Sequence, residues 1–276
     1  MLIKFTKMHG LGNDFVVIDG ISQSVTITPK IAKKLGDRHF GIGCDQILIV
    51  ESPSRPDIDF RYRIFNNNGQ EVEQCGNGAR CFAKFVHNRK LTGKSNILVE
   101  TKSGLIKIRL LRDGLVQVDM GTPELEPNKI PFEADKQEIL YKVPFEKSQI
   151  LLSAVSMGNP HAVLVVDDTA SASVKSIGET LSKHPMFPKE VNVSFMQIIN
   201  PNEINLRVYE RGCGETLACG SGACAATVAG QLQGLLKPTV RVNLTGGSLS
   251  IEWMGSGHSV MMTGKAISVF HGQIYI

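Results

Sequence analysis

The chain has 276 residues, of which 42% are hydrophobic and 20% charged, with a formal net charge of +4. That length supports two domains, each with its own core, and the composition excludes a disordered chain. The charge is mild and not gathered into runs: Lys33-Lys34 and Arg89-Lys90 are isolated pairs on helix faces, so no nucleic-acid partner is expected.

Residues 3–8 and 15–19 alternate as strands, and the charged start argues against a secretory leader. Thr28-Pro29 supplies an N-cap and a first-turn proline for a helix running to about Arg38. Gly41-Ile-Gly43-Cys44-Asp45-Gln46 precedes an apolar strand, 47–50, and an alternating strand follows at 58–65. A loop over 66–76 leads to a helix from Asn77 to Lys90. Ser-Gly and Asp-Gly turns then join strands 96–101, 105–112 and 115–120. Residues 122–147 hold four of the twelve prolines and read as a connector. The order then recurs: strands 149–156 and 161–167, a helix at 171–183, strands 193–199 and 203–210, a helix at 221–233 and a meander from 239 to 263. One further strand, 266–270, has no counterpart and is expected to pair with the first half. No apolar run reaches the ~20 residues of a membrane span, so no membrane partner is expected either.

The recurrence extends to single residues. Cys75-Gly-Asn-Gly78 and Cys219-Gly-Ser-Gly222 lie 144 positions apart (219 − 75), and Gly12-Asn13 matches Gly158-Asn159 at 146 (158 − 12). Ser103-Gly104 matches Gly247-Ser248 in the same way. An internal duplication accounts for this. The 221–233 helix, with Ala223, Cys224, Ala225, Ala226, Val228 and Ala229, leaves no polar face and is expected to be buried on most sides. The expected fold is therefore α+β, with two pseudo-symmetric lobes, each an antiparallel sheet or barrel wrapped around a central helix. The first lobe spans 1–121, joined by a C-terminal strand at 265–276; the second spans 148–264, and the active site is expected in the cleft between them.

Six cysteines without a secreted spacing pattern point to a reducing, cytoplasmic setting. Cys44, Cys81, Cys213 and Cys224 read as small buried hydrophobes. Cys75 and Cys219 do not, because each opens a Gly-x-Gly turn at the start of a helix, at equal places in the two copies. A helix N-terminus favours negative charge, so these thiols are expected to ionise more easily than a free one. No close Cys-x-x-Cys knuckle favours zinc or a redox dithiol. The two turns suit a carboxylate better than a nucleotide, since neither a P-loop nor a third fingerprint glycine is present. Two thiols and a carboxylate cradle suit inversion of a carbon centre: one base removes a proton from one face and one acid delivers a proton to the other. Asn13, Gln46 and Asn66 in the first copy, and Asn159, Asn192, Glu210 and Arg211 in the second, form a polar set at matching places. Arg211 can fork onto a carboxylate and Glu210 can take an ammonium, so the ligand is small and amino-acid-like.

With Lys7-Met-His-Gly-Leu-Gly-Asn-Asp-Phe15, Gly41–Gln46, Gln74-Cys-Gly-Asn-Gly-Ala-Arg-Cys81, Met157-Gly-Asn-Pro-His161 and Glu210-Arg-Gly212 through Cys219-Gly-Ser-Gly222, the chain resembles the diaminopimelate epimerases. The resemblance implies interconversion of LL- and meso-diaminopimelate without cofactor or metal, in lysine and cell-wall precursor synthesis. It implies Cys75 and Cys219 as the acid/base pair. Asn13, Gln46, Asn66, Gly76, Asn77, Asn159, Asn192, Glu210, Arg211, Gly220 and Ser221 match substrate-binding positions, and His161 matches a supporting one. It also implies closure of the lobes over substrate and a homodimer, with Phe270 standing where a tyrosine is frequent in a strand linked to dimer contacts. A proline-racemase type of enzyme is the nearest rival, and a binding or redox module is the rival from another class.

Overall fold

Alternating apolar side chains build an opening hairpin. In the computed structural model, which describes residues 1–72 and 75–276, β1 (Leu2–Gly10) and β2 (Asn13–Asp19) pair antiparallel, closing at Gly10 opposite Asn13. Leu11 and Gly12 turn the corner with φ of 58° and 88°, the doubly left-handed geometry that suits a tight hairpin. Thr28 Oγ1 accepts from Ile31 N–H and Pro29 occupies the first turn, so α1 (Pro29–Gly36) starts as expected. It leads to β3 (Gln46–Glu51), which lies parallel to β2, and then to β4 (Phe60–Asn66), antiparallel to β3. A short β5 (Glu71–Val72) pairs with β4 before α2 (Gly76–Asn88). The meander β6 (Asn96–Thr101), β7 (Gly104–Leu110) and β8 (Val116–Asp119) follows, with β6 parallel to β4.

The second copy repeats this pairing scheme. After a 3-10 turn at Pro127–Lys129, β9 (Tyr141–Phe145) pairs with β10 (Ser148–Ser156), which pairs antiparallel with β11 (Pro160–Val165). Then come α3 (Val174–Ser182), β12 (Asn192–Asn200) parallel to β11, and β13 (Glu203–Glu210) antiparallel to β12. A short β14 (Gly214–Thr216), α4 (Gly220–Leu232), β15 (Thr239–Leu244) parallel to β13, β16 (Gly247–Glu252) and β17 (Met261–Gly264) complete it. Matched glycines share their backbone: Gly12 and Gly158 both have φ 88°, and Gly114 and Gly257 both have φ 82°. Finally β18 (Ile267–Tyr275) runs antiparallel to β1, from Leu2 opposite Tyr275 to His9 opposite Ile267.

The chain divides into two compact units, residues 1–119 with 263–276, and residues 120–262. In the first, α2 packs on β1, β2, β3, β7, β8 and β18, and Phe82 meets Phe60 and Tyr62 edge-on. In the second, α4 packs on β10–β13, β15 and β16. Ten consecutive or near-consecutive small residues of α4, Gly220 and Gly222 to Gly230, are buried, as the absence of a polar face predicts. The architecture is α+β and mostly sheet. Among the described residues four α-helices form, and none is long and apolar enough to cross a membrane.

Several expectations change. The sheets are mixed rather than antiparallel, because each of the four helices is a crossover between parallel neighbours, and a parallel pair needs such a connection. Residues 122–147, read as a connector, hold β9 and bury Ile130, Phe132, Tyr141 and Val143 in a cluster with Leu152, Leu181 and Phe195. Each such side chain contributes about 1.5–3 kcal/mol when fully buried. The helix expected from 171 begins at Val174, since the Asp168 carboxylate accepts from Ala170 and Ser171 N–H and makes a turn there. The strand expected to stop at 270 continues to Tyr275.

Candidate active site

In the first unit the site residues gather at one end of the sheet. Asn13 opens β2, Gln46 opens the parallel β3, and Asn66 closes β4 opposite Gln46. Gln46 Nε2 donates to Asn66 Oδ1 at 3.0 Å. Cys75 is the N-cap of α2, with extended backbone (φ −144°, ψ 117°) and its carbonyl accepting from Ala79 N–H at 2.8 Å. Gly76 and Asn77 therefore form the first turn, where the helix carries its partial positive charge. Cys75 Sγ lies 3.6 Å from Asn13 Oδ1, and Asn77 Nδ2 donates to the same oxygen at 3.4 Å. Tyr62, fully buried, donates to the Cys75 carbonyl at 3.4 Å. Arg80, also fully buried, fixes Asn77 by donating to its Oδ1 at 2.9 Å and reaches the Lys265 carbonyl at 3.3 Å. Gln74 lies outside the described residues.

The second unit repeats the plan with different neighbours. Cys219 is the N-cap of α4 (φ −114°, ψ 107°), its carbonyl accepting from Ala223 N–H at 3.0 Å, with Gly220 and Ser221 in the first turn. Its Sγ lies 3.6 Å from Ser221 Oγ, to which Asn159 Nδ2 donates at 3.3 Å. Asn159 Oδ1 is 3.1 Å from Nε2 of His161, and His161 on β11 stands opposite Asn192 on β12. Asn192 Oδ1 accepts from Arg211 N–H at 3.0 Å, and the Arg211 guanidinium donates to the Lys189 carbonyl at 2.8 Å. Thr216 donates to the Glu210 carboxylate.

Electrostatics separate the two thiols' surroundings. Cys219 is only 4% exposed; burial, reinforced by the negative charge of Glu210, pushes its thiol well above the usual range. The expected lowering at a helix start is thus reversed there, because lost water outweighs the N–H groups that favour the thiolate. Cys75 is half-buried. Burial, then the Arg211 charge, brings the His161 imidazole down to about 3, so it is neutral and can donate from Nε2 to Asn159 Oδ1. Among the remaining cysteines, Cys44 and Cys81 are buried with thiols pushed up to about 12, chiefly by burial, as suits inert core residues. Cys224 is buried too, but Cys213 is exposed in the turn between β13 and β14, against expectation. Among the described residues no three His, Cys, Asp or Glu side chains are grouped as a metal ion would need.

All the expected residues of the first copy (Asn13, Gln46, Asn66, Cys75, Gly76, Asn77) thus share one sheet end and one helix start. Those of the second (Asn159, His161, Asn192, Glu210, Arg211, Cys219, Gly220, Ser221) do likewise. Sequence reasoning passed over Lys7, Arg38 and Asp45 around Asp14, and over Tyr62 and Arg80. Lys7, Asp14, Asp45 and Arg80 stand inside the quoted motifs, but Arg38 has no local signal.

A family model described as diaminopimelate epimerase matches residues 5–126 and 153–269. A diaminopimelate epimerase of Teredinibacter turnerae is 60% identical over 274 residues, 99% of each chain, and one of Ectopseudomonas mendocina is 58% identical over the same span. Among solved structures, a hydroxyproline epimerase from Agrobacterium vitis with bound trans-4-hydroxy-L-proline superposes with a TM-score of 0.72 at 16% identity, covering 99% of this chain and 92% of that one. A PhzF-family phenazine biosynthesis protein of Bacillus anthracis reaches 0.73 at 14% identity, over the whole of both chains. These two distant likenesses show the fold; the close relatives and the family model show more, and the chain belongs to the diaminopimelate epimerase family.

Proposed function

We propose that the protein is a cofactor-independent epimerase that interconverts LL- and meso-diaminopimelate in the cytoplasm, supplying lysine and peptidoglycan precursors. The observation that supports this most directly is the pair of cysteines that cap α2 and α4, Cys75 beside the Asn13 carboxamide and Cys219 joined through Ser221 to the matching Asn159.

The reaction follows from that chemistry. One sulfur, as thiolate, takes the α-proton, and the C–H electron pair stays on the α-carbon. The other, as thiol, gives its proton to the opposite face, so one proton leaves and one arrives. Two-base exchange requires both sulfurs to reach opposite faces of one α-carbon. The carbanion is stabilised where first-turn N–H groups and the helix dipole meet the α-carboxylate: Gly76 and Asn77 of α2, Gly220 and Ser221 of α4. Cys219, kept protonated by burial and Glu210, is in the form of the acid. Asn66, Asn159, Asn192, Glu210 and Arg211 supply donors and charges for the substrate's amino-acid head groups, with Asn13 and Gln46 completing the set and His161 orienting Asn159.

We propose a homodimer as well. β18 pairs with β1 and exposes Val269, Phe270 and Tyr275, a strand that an identical copy can pack against. Phe270 packs edge-on against Phe5, with ring centroids 5.9 Å apart.

Incubating the purified protein with LL-diaminopimelate in heavy water tests the activity. The expected product is meso-diaminopimelate carrying one solvent deuterium at one α-carbon, with proline and hydroxyproline untouched and no pyridoxal phosphate or metal added. Turnover of proline in place of diaminopimelate would favour the racemase reading, and a strict need for a cofactor would end the two-thiol reading.

A further inference from the structure

The carboxamide of Asn13 has only one sense in which it can sit. Its Nδ2 donates to Asp45 Oδ2 at 3.0 Å. An ionised carboxylate only accepts, so the NH₂ end faces Asp45 and the Oδ1 end faces away. That oxygen is the one 3.6 Å from Cys75 Sγ.

Asp45 is itself held from two sides. Its Oδ1 accepts from Arg38 Nη2 at 2.8 Å, and its Oδ2 accepts from the Asp14 N–H at 3.1 Å. Its own N–H donates to Asp14 Oδ1 at 2.8 Å. Arg38 forks onto both oxygens of Asp14 at 2.9 Å, and Lys7 Nζ donates to Asp14 Oδ2 at 2.6 Å and to the Gly43 carbonyl. Burial opposes the charge on Asp14, yet Arg38 and Lys7 hold its carboxyl well below the usual carboxylate range. The clamp therefore fixes where Asp45 stands.

We infer that Asp45, clamped by Arg38 and Asp14, is a positioning residue for Cys75: through Asn13 it aims a carbonyl oxygen at the sulfur, which offsets the first-turn N–H groups of α2 and so tempers the ionisation that Cys75 needs to act as base opposite the protonated Cys219. An amide N–H turned to the same sulfur would favour the thiolate instead. Among the described residues no carboxylate anchors the second carboxamide. There the neutral imidazole of His161 holds Asn159 by its Oδ1, and the amide N–H faces Ser221, the neighbour of Cys219. The consequence for turnover rests on Cys75 being one of the two catalytic thiols; the control of its protonation does not.

Among the described residues, β4 and α2 bring ionisable groups about Cys75: Tyr62, whose hydroxyl burial keeps protonated, and Arg80 and Cys81, both buried. They are untouched by changes at Asp45, so the pH dependence of Cys75 alkylation reads the clamp. The probe is iodoacetamide, with labelling at Cys75 followed by mass spectrometry on folded protein. In Asp45→Ala the amide loses its charged anchor and keeps the long 3.4 Å bond from Asn77 Nδ2 to its oxygen, so its NH₂ can turn to the sulfur and labelling near neutrality should rise about fivefold, the scale of one net hydrogen bond. Combined with Asn13→Ala, Asp45→Ala should add nothing, because the relay is already gone. An equal effect in both backgrounds would make Asp45 a bare charge and overturn the inference. Unchanged labelling in a folded Asp45→Ala would overturn it too. If that variant fails to fold, Asp45→Leu keeps the volume while removing both acceptor oxygens, and the same rise is required of it. Labelling does not depend on substrate, so a failure of the epimerase reading leaves this result standing, and turnover measured alongside separates the two.

Discussion

Acidification should weaken the fold through one side chain, His161. The imidazole is fully buried on β11, with Nε2 3.1 Å from Asn159 Oδ1 and no partner for Nδ1. Its pKa falls to about 3, chiefly through burial, whereas in the unfolded chain it titrates near ~6.5. Between those values the unfolded chain binds a proton that the folded chain refuses. The stability it contributes is therefore whole above about pH 6.5 and is lost as the pH falls toward 3. At about pH 5, some 1.5 units below the unfolded value, the loss is about 2 kcal/mol. Urea midpoints for the wild type and His161→Gln at about pH 7.5 and 5 measure it, since every other titrating group is common to both proteins. The wild type should lose ~2 kcal/mol more than the variant between the two conditions. Equal losses would show that the imidazole accepts its proton in place, and the reasoning from burial would fail.

Other substitutions probe the remaining links. Cys75→Ser and Cys219→Ser should each reduce epimerisation of diaminopimelate by about 10²–10⁴-fold with the melting temperature nearly unchanged, a loss of the scale carried by acid/base groups; full activity in either would remove that cysteine from the chemistry. A Cβ at Gly78 would stand 2.6 Å from the Tyr62 hydroxyl, the group that donates to the Cys75 carbonyl. Gly78→Ala should therefore cost about 1–3 kcal/mol in thermal unfolding and also slow turnover, and a neutral outcome would mean that Tyr62 moves aside freely. Phe132 stacks on Phe187 at 4.6 Å and meets Tyr141 edge-on at 4.7 Å. Phe132→Ala should cost about 3–5 kcal/mol by urea titration, whereas a mere connector would tolerate it.

What could be read in advance followed from short-range chemistry. The Thr28-Pro29 start of α1, the Ser-Gly and Asp-Gly turns and the largely apolar α4 each signal themselves within a few residues, and the structure keeps them. The repeat of the pairing scheme was legible for the same reason, since matched glycines must adopt matched left-handed backbones. Long-range facts were not. Whether β3 follows β2 parallel or antiparallel depends on where α1 carries the chain, not on any residue of β3. The prolines of 122–147 announced broken structure, while Ile130, Phe132, Tyr141 and Val143, which bury it, follow no period. Cys213 shares its residue type with the buried cysteines, and only the turn that carries it decides its exposure. Arg38 lies beyond the end of α1 and acquires its meaning from Asp14, 24 residues away in the chain.

The differences between the copies bear on mechanism more than their likeness. A duplicated unit with identical surroundings would give two thiols with one protonation state, and two-base exchange needs one proton held and one site empty. A separation of one pKa unit is already ~1.4 kcal/mol, a tenfold bias in which sulfur carries the proton. In the two-thiol reaction proposed above, the departures from symmetry act on that bias. Asp45, itself held by Arg38, anchors the first carboxamide by charge, whereas the second is held by an uncharged imidazole. Cys75 keeps partial contact with water, whereas Cys219 is sealed beside Glu210. Sequence identity between the copies therefore marks where the sulfurs sit, and the unmatched residues around them decide how each one titrates.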